Sequence, residues 1–529
     1  MSVEQYFPEA AGSAEVRDRL SLLATSFAES VDDLFAKWET FAIRNGSPRI
    51  ADAGSLDAFQ TSLEKQVRTN SVKRPKLMPR ALGAGRVAGL KMETDNLGSK
   101  LSSKQFEVNG YAPRDFDLKK SAPSHFKLNT DLDAFQAQRP FNESVRETSN
   151  TLDQQIESAL AVVMQHFSWP RTHFSNPHNT SQTQVTAIGR VCRDLSHAKT
   201  LAEAKAEWQN AALDTKSLQI ETSRRVGGGL RTALDVGLLP AERVQQLFEG
   251  EILVLKGKNP KGQAFVVDEV VDLPPLPVAR VAVPAPPPSE QDQIPRICVH
   301  NAAGSAANLE HVLSWIMAAY AQQIARSIPS ALVLVGPFVT LDAQDVAKET
   351  QKVADLLKLF RLTTAGSIPV FIIPHPADLL AEPVFPQPGY AASTLALDQP
   401  ILSLSNPCTF SIGEVALTVS SAATLADMKI DSLDTEFRHV LRQRQIYPVY
   451  PPPLNRNISV QSLKLAHLDV APTVLILPTQ GESEMRVVDG VLCLAVGDNS
   501  VSMLSVGRDE KPLAERIAVD FLQIRETND

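Results

Sequence analysis

At 529 residues the chain is too long for one hydrophobic core, and its length predicts roughly three domains. A hydrophobic content of 43% with 21% charged residues is that of a soluble globular protein, and 36 prolines against 25 glycines imply ordered turns and stiff connectors. The net charge of −8 argues against a protein whose main work is coating nucleic acid, because phosphate neutralisation needs clustered cations.

Cys192, Cys298, Cys408 and Cys493 stand far apart with no CxxC pair, so neither a disulfide framework nor a zinc ribbon is legible, and a reducing compartment is expected. The opening MSVEQYFPEA has no basic segment leading into an apolar core, and no apolar run reaches the roughly 18 residues of a membrane span. The expectation is a soluble, intracellular chain.

Residues 14–67 carry helical periodicity. Val31, Leu34, Phe35, Trp38 and Phe41 fall on one stripe and Leu56, Phe59, Leu63 and Val67 on another, with Gly46 and Pro48 between them. The pattern predicts a helical docking domain over 1–67, too small to bury much core. From Lys65 to Lys91 eight Lys or Arg occur with no acid, among Pro75, Pro79, Gly83, Gly85 and Gly89. Such a segment buries too little apolar surface to offset its ordering entropy, so 68–135 reads as a flexible basic linker spanning about 45 Å as a coil. Within it VKRPK (72–76) reads either as a nuclear import signal or as a plain solvated tether; ahead of it, Ser47-Pro48 is a dipeptide of the proline-directed phosphorylation type.

A helix is predicted over 142–166. The β-rich runs VTAIGRVC (185–192), SLQIE (217–221), EILVLKGKN (251–259) and AFVVDEVVD (264–272) then have the spacing of a small barrel, with NPKG as the last hairpin connection. The triple glycine of RRVGGGLR (224–231) lacks the Lys-Ser/Thr of a P-loop and the frame of a dinucleotide fingerprint, so a flexible loop is expected. PPLPVARVAVPAPPP (274–288) reads as a stiff boundary or as a proline-rich ligand.

From residue 294 the rhythm is strand, helix, strand. IPRICVH precedes an amphipathic helix with Leu309, Val312, Leu313, Ile316, Met317 and Tyr320 on one face; ALVLVG, a helix over 343–360 and PVFII follow. Further β-like runs at ILSLS, VALTVS, TVLILP and GVLCLAVG predict mixed sheets with helices outside.

Strand ends at CVHNAAG, LVGPFVT and IIPHPADL resemble those of calcineurin-like metallophosphoesterases, whose DxH, GDxxD, GNH[DE] and GHxH patterns supply ligands to two metal ions. Two divalent ions about 3.5–4 Å apart repel by roughly 20 kcal/mol at an effective dielectric of about 20, so anionic ligands are indispensable. Here Cys298 stands where the DxH aspartate would precede His300, Thr340 replaces the second aspartate, Pro374-His375-Pro376 replaces Gly-Asn-His, and no GHxH occurs. Gly497-Asp498 continues as Asn-Ser. On paper His375, Asp378 and Glu382, or His467 with Asp469, still make a mononuclear site; the alternative for each histidine is a hydrogen-bonded structural role. No GxSxG, HExxH or catalytic-cysteine context appears.

LVGPFV (334–339), EPVFPQPGY (382–390), LSNPCTFSI (404–412), LRQRQIYPVYPPP (441–453) and PTVLILPT (472–479) together resemble the B-subunit family of DNA polymerase α–primase. EGEILVLKGKNPKG (249–262), running into LPPLP, is similar to the end of that family's OB domain, and QRPFNESVRETSNTL (138–152) to its lead-in. The resemblance covers about residues 136–500 in order. Thr340 and Thr473 replace aspartates common in the family, and the residues after Gly497 depart from its Asn-Pro-Gly pattern.

The resemblance implies an α+β multidomain chain: a helical N-terminal domain (1–67), a flexible linker (68–135), an OB-fold β-barrel with its preceding helix and proline-rich boundary (136–290), and a calcineurin-like phosphoesterase α/β two-layer domain lacking its metal site (291–529). It implies no enzyme activity and no cofactor. The expected role is a nuclear scaffold that binds the C-terminal domain of the polymerase α catalytic subunit, reaches primase through the complex and other replisome proteins through the N-terminal domain, touches DNA only as part of the complex, and binds no membrane. The rival readings are the B subunit of polymerase ε or δ and an active metallophosphoesterase. Barrel aromatics are few, essentially Trp208, Phe248 and Phe265, which favours protein over single-strand binding. Arg442, Arg444, Tyr447 and Tyr450 read either as a braced loop or as partner contacts of the hot-spot type, and Pro383, Phe385 and Pro388 either as a surface arm or as a core-packing loop. The partner-binding candidates are Arg442, Arg444, Tyr447, Tyr450 and Phe385.

Overall fold

The computed structural model describes residues 126–136, 143–194, 200, 213, 215–278, 295–304, 306–324, 327–391, 394–395, 401–498, 500–507 and 511–523, with Leu20, Leu34, Phe35, Trp38, Phe41, Phe59 and Gln60 nearer the start. The chain divides into two units, Met1–Gln105 and Phe106–Asp529. In the first, the two apolar stripes meet: the Trp38 ring lies 5.2 Å from Phe59 edge-on and 5.6 Å from Phe41, and Leu20 and Leu34 are buried. VKRPK, Ser47-Pro48, Trp208 and most of the proline-rich boundary lie outside the described residues.

The linker expected over 68–135 has structure at its end. β1 (Phe126–Leu128) and all but the last residue of α1 (Leu132–Gln136) fall inside it, and β1 pairs antiparallel with residues 410–412. The reason is local: Phe126 and Leu128 alternate with Lys127, and Phe126 finds the rings of Phe371 at 4.8 Å and Phe410 at 6.0 Å. Three residues of strand suffice because an aromatic anchor offsets their ordering.

α2 (Val145–Phe167) begins at Ser144, whose hydroxyl accepts the Glu147 N–H at 3.1 Å. β2 (Val185–Arg193), β3 (Leu218–Glu221), β4 (Arg231–Asp235), β5 (Ile252–Lys258) and β6 (Ala264–Val271) close into a five-stranded barrel in the order β2-β3-β4-β6-β5. Ala187, Val191, Ile220, Leu255 and Phe265 fill it. Ile188, Ile252 and Val254 point the other way and are covered by Ile156, Leu160 and Val163 of α2, which is why β2 is apolar on both faces. Each such side chain gains about 1.5–3 kcal/mol on burial. The triple glycine is a built helical turn, α3 (Arg224–Gly227), rather than a flexible loop: Gly228 and Gly229 take φ of +70° and +71° to end it, and the Arg224 backbone N–H donates to Asp153 of α2 at 2.8 Å. A short helix, α4 (Ala241–Gln245), precedes β5.

The remainder is a sandwich. β7 (Arg296–Asn301), α5 (Ala306–Ala321), β8 (Ala331–Val335), α6 (Val346–Thr363), β9 (Val370–Ile373) and β10 (Ile401–Ser403) wind a parallel run, to which β16 (Ser500–Val506) and β17 (Ile517–Gln523) add antiparallel, in the order β10-β9-β8-β7-β16-β17. β11 (Cys408–Ile412), β12 (Val415–Val419), β13 (Val474–Pro478), β14 (Glu484–Val488) and β15 (Val491–Val496) form the second sheet, β1-β11-β12-β13-β15-β14. Val299, Val333, Phe371, Phe410, Leu417 and Leu494 lie between the sheets. α5 and α6 cover the first sheet, while α7 (Thr424–Met428) and α8 (Leu433–Arg442) cover the second. The α/β layer expected from the sequence is present and doubled, α/β/β/α, because the strands of the parallel run alternate apolar residues to both faces.

Candidate functional site

β7, β8 and β9 run parallel in register, Asn301 beside Val335 and Val335 beside Ile373, so their following loops share one rim. This is where a phosphoesterase would keep its metals. Among the described residues Asp378 is the one carboxylate buried there, and its oxygens are already engaged. Oδ2 accepts the Phe338 N–H at 2.6 Å and the Tyr390 hydroxyl at 2.7 Å, and Oδ1 accepts the Leu380 N–H at 3.0 Å. Burial raises its carboxyl above the ordinary range, and these donors pull it back.

The neighbouring histidines are each bonded through Nδ1, while Nε2 of His300 is buried without a hydrogen-bond partner. Nδ1 of His375 accepts the Ala377 N–H at 2.9 Å, and burial first, then Arg456, push its imidazole down to about 4. His300 Nδ1 lies 2.9 Å from the Ser500 carbonyl, and burial lowers it to about 4. Cys298 is buried and its thiol pushed up to about 12. Asp498 accepts from Asn301 Nδ2 at 3.0 Å, Glu382 is exposed, and His467 stands 3.8 Å from the exposed Asp469. Among the described residues no group of three His, Cys, Asp or Glu is placed to hold a metal ion. His375, Asp378 and Glu382 are close in sequence but do not converge as ligands.

The proposed partner contacts lie elsewhere, at the seam between barrel and sandwich. Phe385 and Tyr447 are 0% and 1% exposed and pack on each other at 6.0 Å, so neither reaches a partner. Tyr447 donates its hydroxyl to Asp427 at 2.7 Å. Arg442 spans the seam, bonding Asp489 at 3.0 Å on the sandwich and Asp272 at 2.8 Å after β6. Arg444 holds a left-handed φ of +55° and reaches the Pro275 carbonyl at 3.4 Å. The Arg190 guanidinium of β2 lies 5.7 Å from the centre of the Tyr450 ring, over its face. All five residues make contacts within the chain, Phe385 and Tyr447 fully buried and Arg442, Arg444 and Tyr450 half-buried. The sequence showed residue types enriched at interfaces, and within this chain they meet across the barrel–sandwich seam.

Sequence reading missed the other fasteners. Gln443 closes both ends of its side-chain amide on the Ile252 backbone at 2.9 Å. Glu251 is buried with His439 Nδ1 at 3.3 Å and Arg243 at 3.5 Å. Gly250 has φ of +101°, and a Cβ there would meet the Tyr450 nitrogen at 2.3 Å. The signal was the EGE triplet at 249–251, acids flanking a glycine ahead of a strand. Of the barrel aromatics, Phe265 is in the barrel core and Phe248 packs against His439 at 5.0 Å, leaving neither as a stacking platform.

Residues 149–273 match the family described as the OB domain of the DNA polymerase alpha B subunit, and residues 300–485 that described as the B subunit of DNA polymerases alpha and epsilon, so the two together span more than half of the chain. The chain belongs to the DNA polymerase alpha B-subunit family. The first match ends where β6 leaves the barrel, and the second opens at the end of β7. The DNA polymerase alpha B subunit of Schizosaccharomyces pombe is 26% identical over 530 residues, covering 88% of each chain. That of Saccharomyces cerevisiae is 24% identical, over 68% of this chain and 58% of its own. The Bos taurus relative is 27% identical over 57% of this chain and 49% of its own, so the match spans about half of that relative's length. A Streptococcus pneumoniae protein described as a predicted phosphoesterase aligns over 44% of this chain and 95% of its own, at 9% identity and a TM-score of 0.22. No helix among the described residues is long and apolar enough to cross a membrane.

Proposed function

We propose that this chain is a non-catalytic B subunit of a DNA polymerase α–primase assembly, a nuclear scaffold that holds the C-terminal domain of the catalytic subunit and, through it, primase, in support of primer synthesis. The observation that carries the non-catalytic reading is Asp378. A carboxylate that accepts three internal donors has too little acceptor capacity left to bind two divalent ions, and it fixes the loops around it instead.

The binding half of the proposal rests on the family and on the seam. The fasteners make barrel and sandwich one composite surface, with a groove of about 1110 Å³ lined from both sides by Arg193, Phe248, Glu249, Lys429, Asp431 and Leu454. A partner seated there touches both domains at once, so its affinity depends on their fixed relation.

Co-expression with the catalytic subunits of polymerases α and ε tests the reading. Stoichiometric recovery with the α catalytic subunit and primase is expected; recovery with ε alone defeats the α assignment, a rival kept in view because the second family match is common to both polymerases. Manganese titration with a chromogenic phosphodiester tests the other half, and turnover abolished by changing His375 would overturn the non-catalytic assignment.

A further inference from the structure

The rim after β8 and β9 carries an exposed apolar surface. The loops after β8 and β9 are joined where the Leu379 N–H donates to the Val339 carbonyl at 2.9 Å. Around that junction Leu341 is 84% exposed, Leu379 41% and Val346, the first residue of α6, 40%. Ala343, Leu380 and Ala381 continue the patch inward to the core beneath α6. Scattered exposed leucines are ordinary, but here two stand on loops joined by a backbone bond and a third large apolar side chain opens the helix that follows, and exposed apolar patches mark contact sites.

Its border is acidic. Asp342, Asp345, Glu349 and Glu382 surround the apolar residues, with Lys348 as the cation among them. Asp345 is committed to capping α6 through the Lys348 N–H at 3.1 Å. Asp342 and Glu382 carry no ion pair among the described residues and stand free to meet incoming charge. β8 and β9 are interior strands, so no open strand edge borders the rim and a partner cannot dock there by adding a strand. Side chains must carry the contact, and an amphipathic helix presents apolar anchors in the compact i, i+3, i+4 cluster that suits such a patch.

We propose that the β8–β9 rim is a docking face for a short basic amphipathic helix of another protein, its leucine-type anchors covering Leu341, Leu379 and Val346 and its lysines or arginines meeting Asp342 and Glu382. This goes beyond the polymerase-subunit reading and does not rest on it. The rim is a different surface from the barrel–sandwich groove.

The test uses the full-length chain and a fluorescein-labelled helical peptide of about 15 residues, built only of leucine and lysine with leucines on one face. Fluorescence anisotropy at low and physiological salt is expected to show binding that L341S/L379S weakens by about tenfold and that D342K/E382K weakens by about tenfold with a shallower salt dependence. A leucine–glutamate counterpart should not bind. All four substituted side chains are exposed, so both variants should melt with the parent chain. Equal binding by parent and both variants would sink the proposal. So would sedimentation showing that the parent self-associates and that L341S abolishes it, since the occupant would then be a second copy.

Discussion

Gln443 and Ile252 exchange two hydrogen bonds of 2.9 Å, the side-chain amide of one closing on the backbone N–H and C=O of the other across the barrel–sandwich seam. Replacing Gln443 with Ala strands both backbone groups of a buried strand end, each at about 1–3 kcal/mol. The expected result is a lower thermal midpoint and faster hydrogen exchange at the Ile252 amide. Exchange unchanged at Ile252 would mean the seam does not protect the strand.

Gly250 tests the same seam by shape. Its φ of +101° and the 2.3 Å and 2.5 Å approaches a Cβ would make to the Tyr450 nitrogen and the Pro448 carbonyl leave no room for a side chain. Gly250→Ala should cost about 2–4 kcal/mol, through strain and displacement of the Tyr450 loop. Because Tyr450 carries the Arg190 contact, limited proteolysis should detect the loosened loop even where the barrel itself stays folded.

Glu251 and His439 give the seam a pH signature. Burial, opposed by Arg243, pushes Glu251 up from 4.5 to about 7, while burial and then the charge of Arg243 push His439 down from 6.5 to about 4; Asp272 acts on both and Arg438 on His439. As pH rises from 4.5 towards 7 the unfolded chain releases the glutamate proton first, so that contribution is complete below 4.5 and lost by about 7. His439 runs the other way: its contribution is present above 6.5 and lost as pH falls towards 4. The two offset in the parent. In E251Q, urea stability should gain a rising slope between pH 4 and 6.5, and in H439Q a falling one between 4.5 and 7. Glu436, also raised to about 7, is common to all three proteins and cancels in the comparison.

Asp378 separates a structural bracket from a metal ligand. Asp378→Asn keeps an acceptor for the Leu380 N–H but turns a donor towards the Phe338 N–H and the Tyr390 hydroxyl, a loss of about 2–3 kcal/mol. Millimolar manganese should leave the parent's thermal midpoint where it is, whereas a bound ion at a hundred times its Kd would add about 2.7 kcal/mol. A metal-dependent rise in the parent that Asp378→Asn removes would return this residue to ligand duty.

Periodicity made most of this fold legible. The apolar stripe of α2, the four barrel runs and the strands ALVLV and VFII are each dictated by one or two neighbouring layers, and local pattern records that. The missing carboxylates at Cys298 and Thr340 were equally plain. What sequence could not carry was pairing across distance. β4 is short and its TAL core has no strong β signal until β3 and β6 flank it. Tyr447 and Phe385 looked like interface anchors because a buried intramolecular seam selects the same amphipathic rings as a protein–protein contact. Residue type names the chemistry of a contact and says nothing about whose surface lies opposite.

β1 is the sharpest instance, since a segment read as tether closes the edge of a sheet some 280 residues later. Thr130 and Thr409 tie it down reciprocally, the Thr409 N–H donating to the Thr130 hydroxyl at 2.6 Å and that hydroxyl donating to the Thr409 carbonyl at 3.2 Å. The Phe126 ring lies against Phe371 and Phe410, so Phe126→Ala removes the aromatic anchor of a three-residue strand that has little else to hold it. A loss of about 2 kcal/mol exceeds what so short a strand can spare. The expected outcome is local: proteolysis opens near residues 126–130 and the Thr409 amide exchanges faster, while α2 and the sandwich core keep their protection. If cleavage there matches the parent, the backbone ladder and the Thr130–Thr409 pair hold β1 by themselves. The aromatic contact would then be packing laid over a strand already fixed.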